Sequence, residues 1–224
     1  MTVTAILPVP MVFARRRDAV FAAVAGVSPL IRAVRALEAA ADVVIAVAVP
    51  LADEVAEALV GQSFSRVRVV VSDSPGERVH CLAAGLAAVD TSHVVVHDLQ
   101  WPTIGTGVVD RIAVALREEA VAVMPARPVT DSVKAVDSGG VLTATLDRSQ
   151  LRTVQYPRGF TADVLAQLVH RHRSGPFDEL EAALSAGIPV TLIEGDDEAL
   201  RVELPRDAGY LAALIATRQD PPVR

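Results

Sequence analysis

Short unbroken apolar runs alternate along this chain with stretches whose apolar residues recur at helical spacing. Thr4–Val9, Val43–Val49 and Val94–Val96 are runs of the first kind, and Val67–Val71 is one interrupted by Arg68. Runs of that length, bounded by polar residues, predict strands, those at Val43–Val49 and Val94–Val96 buried ones. Between them lie three predicted helices. Ser28 supplies an N-cap and Pro29 a first turn for a helix to about Ala40. Leu51–Val60 is amphipathic and is stopped by Gly61, and Val79–Val89 follows a loop at Asp73–Arg78. The β-α-β-α-β-α-β alternation predicts a doubly wound, mostly parallel twisted sheet with helices on both faces.

The pattern continues with a helix over Gly107–Glu119 and a strand over Ala120–Met124, and then changes. Val133 and Val136 on one side, and Val141 and Leu142 on the other, flank Asp137-Ser138-Gly139-Gly140. Two short strands about a glycine turn make a β-hairpin rather than a βα unit. An inserted hairpin arm over 128–151 has too little around it to bury its own apolar residues, so a second subunit is its expected cover. Helical patterns return at Thr161–Arg173 and Asp178–Ala186, the latter ended by Gly187. Pro189–Ile193 reads as a strand and Leu200–Glu203 as extended, and Pro205 opens a last helix to about Thr217. No repeat or linker interrupts the chain, which predicts one domain over 1–218 and a frayed tail over 219–224.

Composition sharpens this picture. Hydrophobic residues make up 51% and charged residues 21%, so a sizeable core is expected; aromatics are only 4%, which favours a helix-and-parallel-sheet protein over a β-sandwich. A formal charge of -6 argues against nucleic acid as the main partner. The single cysteine allows no internal disulfide and fits a cytoplasmic setting. The first apolar strand precedes the arginines, the wrong order for a signal peptide, and no apolar run reaches membrane-spanning length.

The residue that first invites chemistry is Asp98. It ends a buried strand, where open α/β sheets bind ligands, and a carboxylate there suits Mg²⁺ held against phosphates. The alternative is a carboxylate that only caps a turn. The loop after the first strand, Pro10-Met11-Val12-Phe13-Ala14-Arg15-Arg16-Arg17-Asp18, has no glycine and no lysine. A phosphate cradle needs bare backbone and usually a lysine. Its three arginines could meet an anion or simply form a solvated helix face. Cys81 reads as core filler, since no histidine-and-acid pattern accompanies it. Asp196-Asp197 is adjacent rather than alternating, which argues against a glycosyltransferase-like metal pair.

Several segments together resemble the 2-C-methyl-D-erythritol 4-phosphate cytidylyltransferases of isoprenoid-precursor synthesis. Val95-Val96-His97-Asp98 resembles that family's strand and metal-binding aspartate. Gly76-Glu77-Arg78 is similar to its loop near the cytosine base. Pro128-Val129-Thr130-Asp131-Ser132-Val133-Lys134 looks like the start of its dimer arm, and Thr145-Leu146-Asp147-Arg148-Ser149-Gln150-Leu151 like its close. Val190–Gly195, Arg201, Pro205 and Asp207 follow the spacing of its late strand and Lys-x-Thr-x-Pro-x-Asp. The likeness runs in order from about Thr4 to Ala216.

The resemblance implies a Rossmann-like nucleotidyltransferase fold, a homodimer through the 128–151 arm, CTP and a sugar phosphate as ligands, and Mg²⁺ if the chain is active. By position it assigns Asp98 to the metal and Gly76, Glu77, Arg78 and Cys81 to the nucleotide. It assigns Asp131, Ser132, Lys134, Arg148 and Asp178 to the sugar phosphate, and Arg15 and Arg201 to catalysis. The departures fall where the chemistry would be. The glycine loop has become Val9–Phe13, and no lysine precedes Lys134. Leu99-Gln100-Trp101 replaces Ala-Ala-Arg, Tyr156-Pro157-Arg158 replaces Thr-Pro-Gln, and Phe177-Asp178 replaces Thr-Asp. One expectation is a relative with weak or lost transfer and a binding or scaffold role. The other is a working transferase, on the same or another sugar phosphate, in which Arg15, Arg16, Arg158 and Arg201 supply the positive charge.

Overall fold

The computed structural model describes residues 3–105, 107–172, 176–197 and 199–219. In chain order the first half comprises β1 (Thr4–Val9), α1 (Asp18–Phe21), α2 (Pro29–Glu38), β2 (Asp42–Ala48), α3 (Ala52–Leu59), β3 (Val67–Ser72), α4 (Arg78–Ala87) and β4 (His93–Val96). The second half comprises α5 (Val108–Arg117), β5 (Ala122–Pro128), β6 (Lys134–Val136), β7 (Leu142–Thr145), β8 (Arg152–Val154), β9 (Arg158–Thr161), α6 (Ala162–Arg171), α7 (Glu179–Ser185), β10 (Thr191–Glu194) and α8 (Ala208–Gln219).

The main sheet has the order β10-β5-β9-β4-β1-β2-β3, with β8 paired to β5. β1 lies between β2 and β4 and runs parallel to both. All six of its residues are buried, as its unbroken apolar run requires. Successive side chains point to opposite faces, so the sheet separates two cores. Ala5, Leu7, Val9 and Val95 pack with α2, α5 and α8 through Leu30, Leu37, Ile112 and Leu211. Ile6, Val94 and Val96 face α4, α6 and α7 through Leu82, Leu165 and Ala183. The Rossmann-like, mostly parallel sheet with helices on both faces is therefore the architecture of this chain.

Two strands, β8 and β9, have no counterpart in the sequence pattern. β9 enters antiparallel between β4 and β5, with Gly159 opposite both Val95 and Val123. A Cβ at Gly159 would stand 2.2 Å from Ile112 Cγ2, so only a bare backbone lets β9 lie under α5. The antiparallel sense sets Arg158, first in β9, opposite Val96, last in β4. That arginine is thereby delivered to the strand end that carries Asp98.

Element ends differ modestly from the sequence expectation. Ser28 caps α2 by accepting from the Ile31 N–H at 3.3 Å, and Thr161 caps α6. β5 runs on to Pro128 because β8 pairs with its last residues. Leu200–Glu203 joins no strand, and α8 begins at Ala208, not Pro205. Gln219 still belongs to α8; the rest of the expected tail, 220–224, lies outside the described residues. β6 and β7 form their own two-stranded sheet, closed by Asp137 Oδ1, which accepts from the Gly139 and Val141 N–H groups. Val136, Val141 and Leu142 on this hairpin are each at least 60% exposed. Among the described residues no helix is long and apolar enough to cross a membrane.

Candidate active site

The carboxyl ends of β1 and β4 open into a cleft of about 640 Å³, lined by Pro10, Met11, Val12, Phe13 and Arg16 on one side and Glu77, Arg78, Val79, Asp98, Gln100, Pro176 and Phe177 on the other. Ligands of open α/β sheets sit at such strand ends. After β1 the chain turns through a 3₁₀ helix, Met11–Arg15. Three amide groups of this turn are engaged by backbone carbonyls. Met11 N–H donates to the Gly76 carbonyl at 2.7 Å, Phe13 N–H to Pro10 at 3.0 Å and Arg16 N–H to Phe13 at 2.9 Å. Pro10 has no N–H to offer.

Gly76 adopts a φ of +73°, and a Cβ there would meet Ala48 Cβ at 2.8 Å. Glycine is therefore required to start α4 where it starts, and that start places Arg78 across the cleft from the β1 turn. Arg78 is the hub of a buried polar cluster. Its Nε donates to Glu179 Oε1 at 2.7 Å, one Nη to Asp98 Oδ2 at 2.9 Å and the other to Tyr156 OH at 3.2 Å. Glu179 has no exposed side-chain surface. It also accepts from Tyr156 OH at 2.8 Å and from Arg158 Nη1 at 3.0 Å. Arg158 pairs with Asp178 at 2.9 Å and lies 4.1 Å above the centre of the Tyr156 ring. Its Nε is buried with no hydrogen-bond partner.

This cluster shifts its own ionisation. Burial alone would lower the Arg78 pKa, but Glu179, Tyr156 and Asp98 outweigh it and hold the guanidinium charged more firmly than usual. Burial, helped by Glu179 and Asp98, pushes the Tyr156 phenol well up against the pull of Arg78 and Arg158, so Tyr156 stays a donor. Burial would raise Asp178, yet Arg158 and the α7 amide groups it caps bring it down. His97, next to Asp98, is fully enclosed, and burial lowers its pKa to about 4. Its Nε2 lies 2.9 Å from the Trp101 carbonyl while Nδ1 has no partner. A neutral ring with the proton on Nε2 accounts for both.

Asp98 is half-spoken for. Besides Arg78, its Oδ1 accepts the Gln100 N–H at 2.8 Å. The turn-capping reading of this residue thus has a contact behind it, and the carboxylate also lines the cleft. Among the described residues no group of three or more histidine, cysteine or acidic side chains could hold a metal. One carboxylate suits Mg²⁺ that arrives on a polyphosphate and keeps most of its water, and does not suit a resident ion.

The other residues named from sequence distribute as follows. Gly76, Glu77 and Arg78 form the cleft wall or its supporting turn. Cys81 is completely buried, 3.6 Å from Ser72 Oγ and 3.9 Å from the Gly76 carbonyl, and burial raises its pKa. Asp178 caps α7 and pairs with Arg158. Arg201 is exposed and reaches Gln100 Oε1 at 3.0 Å, at the cleft margin. Arg15 is exposed and does not line the cleft, whereas Arg16 does, with Nη2 donating to the Leu204 carbonyl at 3.1 Å. Asp131, Ser132, Lys134 and Arg148 lie on or beside the exposed arm. Lys134 Nζ donates to Thr145 Oγ1 at 2.8 Å and Arg148 to the Thr130 carbonyl. None of these four lines the cleft of its own chain. Sequence reasoning missed Glu179. A second acid immediately after the Asp178 cap was the available signal, and only the fold reveals that it points inward.

Comparison with known proteins agrees with this arrangement. The family model described as 2-C-methyl-D-erythritol 4-phosphate cytidylyltransferase (IspD) matches residues 13–217. A protein of that name from Frankia casuarinae is 36% identical over 204 residues, covering 89% of this chain and 74% of its own length. One from Nocardia farcinica is 39% identical over 153 residues, covering 68% of this chain and 65% of its own length. The crystal structure of the Thermus thermophilus cytidylyltransferase superposes with a TM-score of 0.74 at 25% identity, covering 96% of this chain and 100% of that one. The cleft at the ends of β1 and β4, the fold around it and these likenesses coincide, and the chain belongs to the 2-C-methyl-D-erythritol 4-phosphate cytidylyltransferase family.

Proposed function

We propose that this chain retains the family's ligand cleft but has weak or lost cytidylyl transfer, and that it serves a binding or scaffold role. The observation that carries this reading is the β1 turn, whose Met11, Phe13 and Arg16 amides are bonded to backbone carbonyls. In the family reaction a phosphate oxygen of the sugar phosphate attacks the α-phosphorus of CTP and pyrophosphate leaves. Such a step depends on donors already aimed at the phosphates. Here those amides are consumed, and Arg78 is engaged by Asp98 and Glu179. Mg²⁺, if carried in by the nucleotide, would be held by Asp98 and would supply charge neutralisation. Losing one preorganised donor costs about 3 kcal/mol, on the order of a hundredfold in rate. Pyrophosphate release from CTP, Mg²⁺ and methylerythritol phosphate should therefore run at least about a hundredfold slower than in a glycine-loop relative assayed alongside. Comparable rates would remove this reading. They would favour an arginine-assisted transferase instead, for which the positions of Arg16 and Arg201 at the cleft are the supporting observation.

The exposed apolar residues of the β6–β7 hairpin support a homodimer through the 128–151 arm. The full chain should sediment as a dimer, and a chain lacking residues 133–146 as monomer or aggregate. An unchanged dimer after the deletion would rule the arm out as the contact.

A further inference from the structure

We propose that the cleft selects a nucleoside monophosphate, one uncharged planar body with one anion, over a triphosphate and its metal ion. The proposal rests on the reading above, in which the cleft still binds a nucleotide, and it narrows that ligand.

Three observations carry it. Among the described residues, the charged side chains lining the cleft are Arg16, Arg78, Glu77 and Asp98, two of each sign, so their charges cancel. Arg78 is further neutralised by fully buried Glu179. A triphosphate entering here would meet two carboxylates and no net positive field, and the repulsion would grow with each phosphate. Second, much of the cleft wall is apolar. Pro10, Met11 and Phe13 face Val79 and Phe177. Such a wall favours a flat uncharged group, held by ring and thioether contact. Third, among the described residues two arginines without an ion pair stand at the cleft, Arg16 in its lining and Arg201 at its margin. Arg16 spends one donor on the Leu204 carbonyl, and Arg201 leans on Gln100, itself a lining residue. A guanidinium has five N–H donors, so each arginine keeps some to offer one phosphate.

The test is calorimetric titration of the full chain with cytidine, CMP and CTP, each with and without Mg²⁺. CMP should bind about tenfold tighter than cytidine, the worth of one charge-assisted contact. CTP should bind about tenfold more weakly than CMP, and Mg²⁺ should leave the order unchanged. Arg201→Gln and Arg16→Gln should each bring the ratio of CMP to cytidine affinity towards one. Arg201 is exposed, and its variant is read only if its thermal unfolding midpoint matches the parent. CTP binding as tightly as CMP or more tightly, with or without Mg²⁺, would overturn the proposal. So would binding by none of the three, or a ratio unchanged in both variants. The pyrophosphate assay decides the earlier reading separately: tight CTP binding without turnover sinks only the monophosphate preference.

Discussion

Glu179→Ala should lower the unfolding free energy by about 3 kcal/mol, the low end of what breaking a buried ion pair costs. Glu179 has no exposed side-chain surface and accepts from Arg78, Tyr156 and Arg158. Truncation leaves two nearly buried guanidinium groups and a phenol each short of an acceptor. Arg78 keeps Asp98 and Arg158 keeps Asp178, which holds the loss at the lower end. Glu179→Gln retains the shape and one acceptor and should cost less than the alanine change. Urea unfolding monitored by circular dichroism measures both. An alanine variant within about 0.5 kcal/mol of the parent, the size of an ordinary surface change, would mean that the cluster contributes nothing net to the fold.

His97 should make stability fall as the solution is acidified from about pH 6.5 to about pH 4. The unfolded chain binds a proton at this ring near pH 6.5, while the folded ring, enclosed between β4 and Tyr156, resists until about pH 4. In that window the unfolded state holds more protons, so the unfolding free energy rises with pH. The full interval is worth about 3 kcal/mol at 1.36 kcal/mol per pKa unit. Asp178, whose pKa is lowered from 3.8, gives up its own contribution only below this window. Unfolding midpoints from pH 4 to pH 7 should slope upward in the parent. They should flatten in His97→Asn, which keeps a donor for the Trp101 carbonyl. Parallel slopes in the two proteins would show that the ring is not the titrating group.

Most of the sheet was legible from sequence because β1, β2 and β4 are buried on both faces and so carry no polar interruption. α2 was legible for a different reason, since Ser28 and Pro29 mark its start chemically. β9 was not, because Arg158-Gly159-Phe160-Thr161 has neither alternation nor an apolar run. Its place is set by a vacancy between β4 and β5 and by the missing side chain at Gly159, both of which are tertiary facts. The same limit applies to the cleft. Asp98 and Arg78 could be named from their positions, but their mutual ion pair could not, because it joins residues on different elements. The glycine-free turn was visible as a string of letters. That its amides bond to Pro10, Phe13 and Gly76 carbonyls follows only from the way the chain folds back on itself.

The late arrival of β9 also bears on how the chain must be built. A ribosome that has extruded β1 through β5 has made both neighbours of that strand but not the strand itself. Two hydrogen-bonding edges then wait open until residue 161 emerges, a state in which a passing strand from another molecule can slot in. Closure between β4 and β5 therefore depends on a contact over 60 residues apart in sequence (Val95 with Gly159), the kind of distant pairing that slows folding.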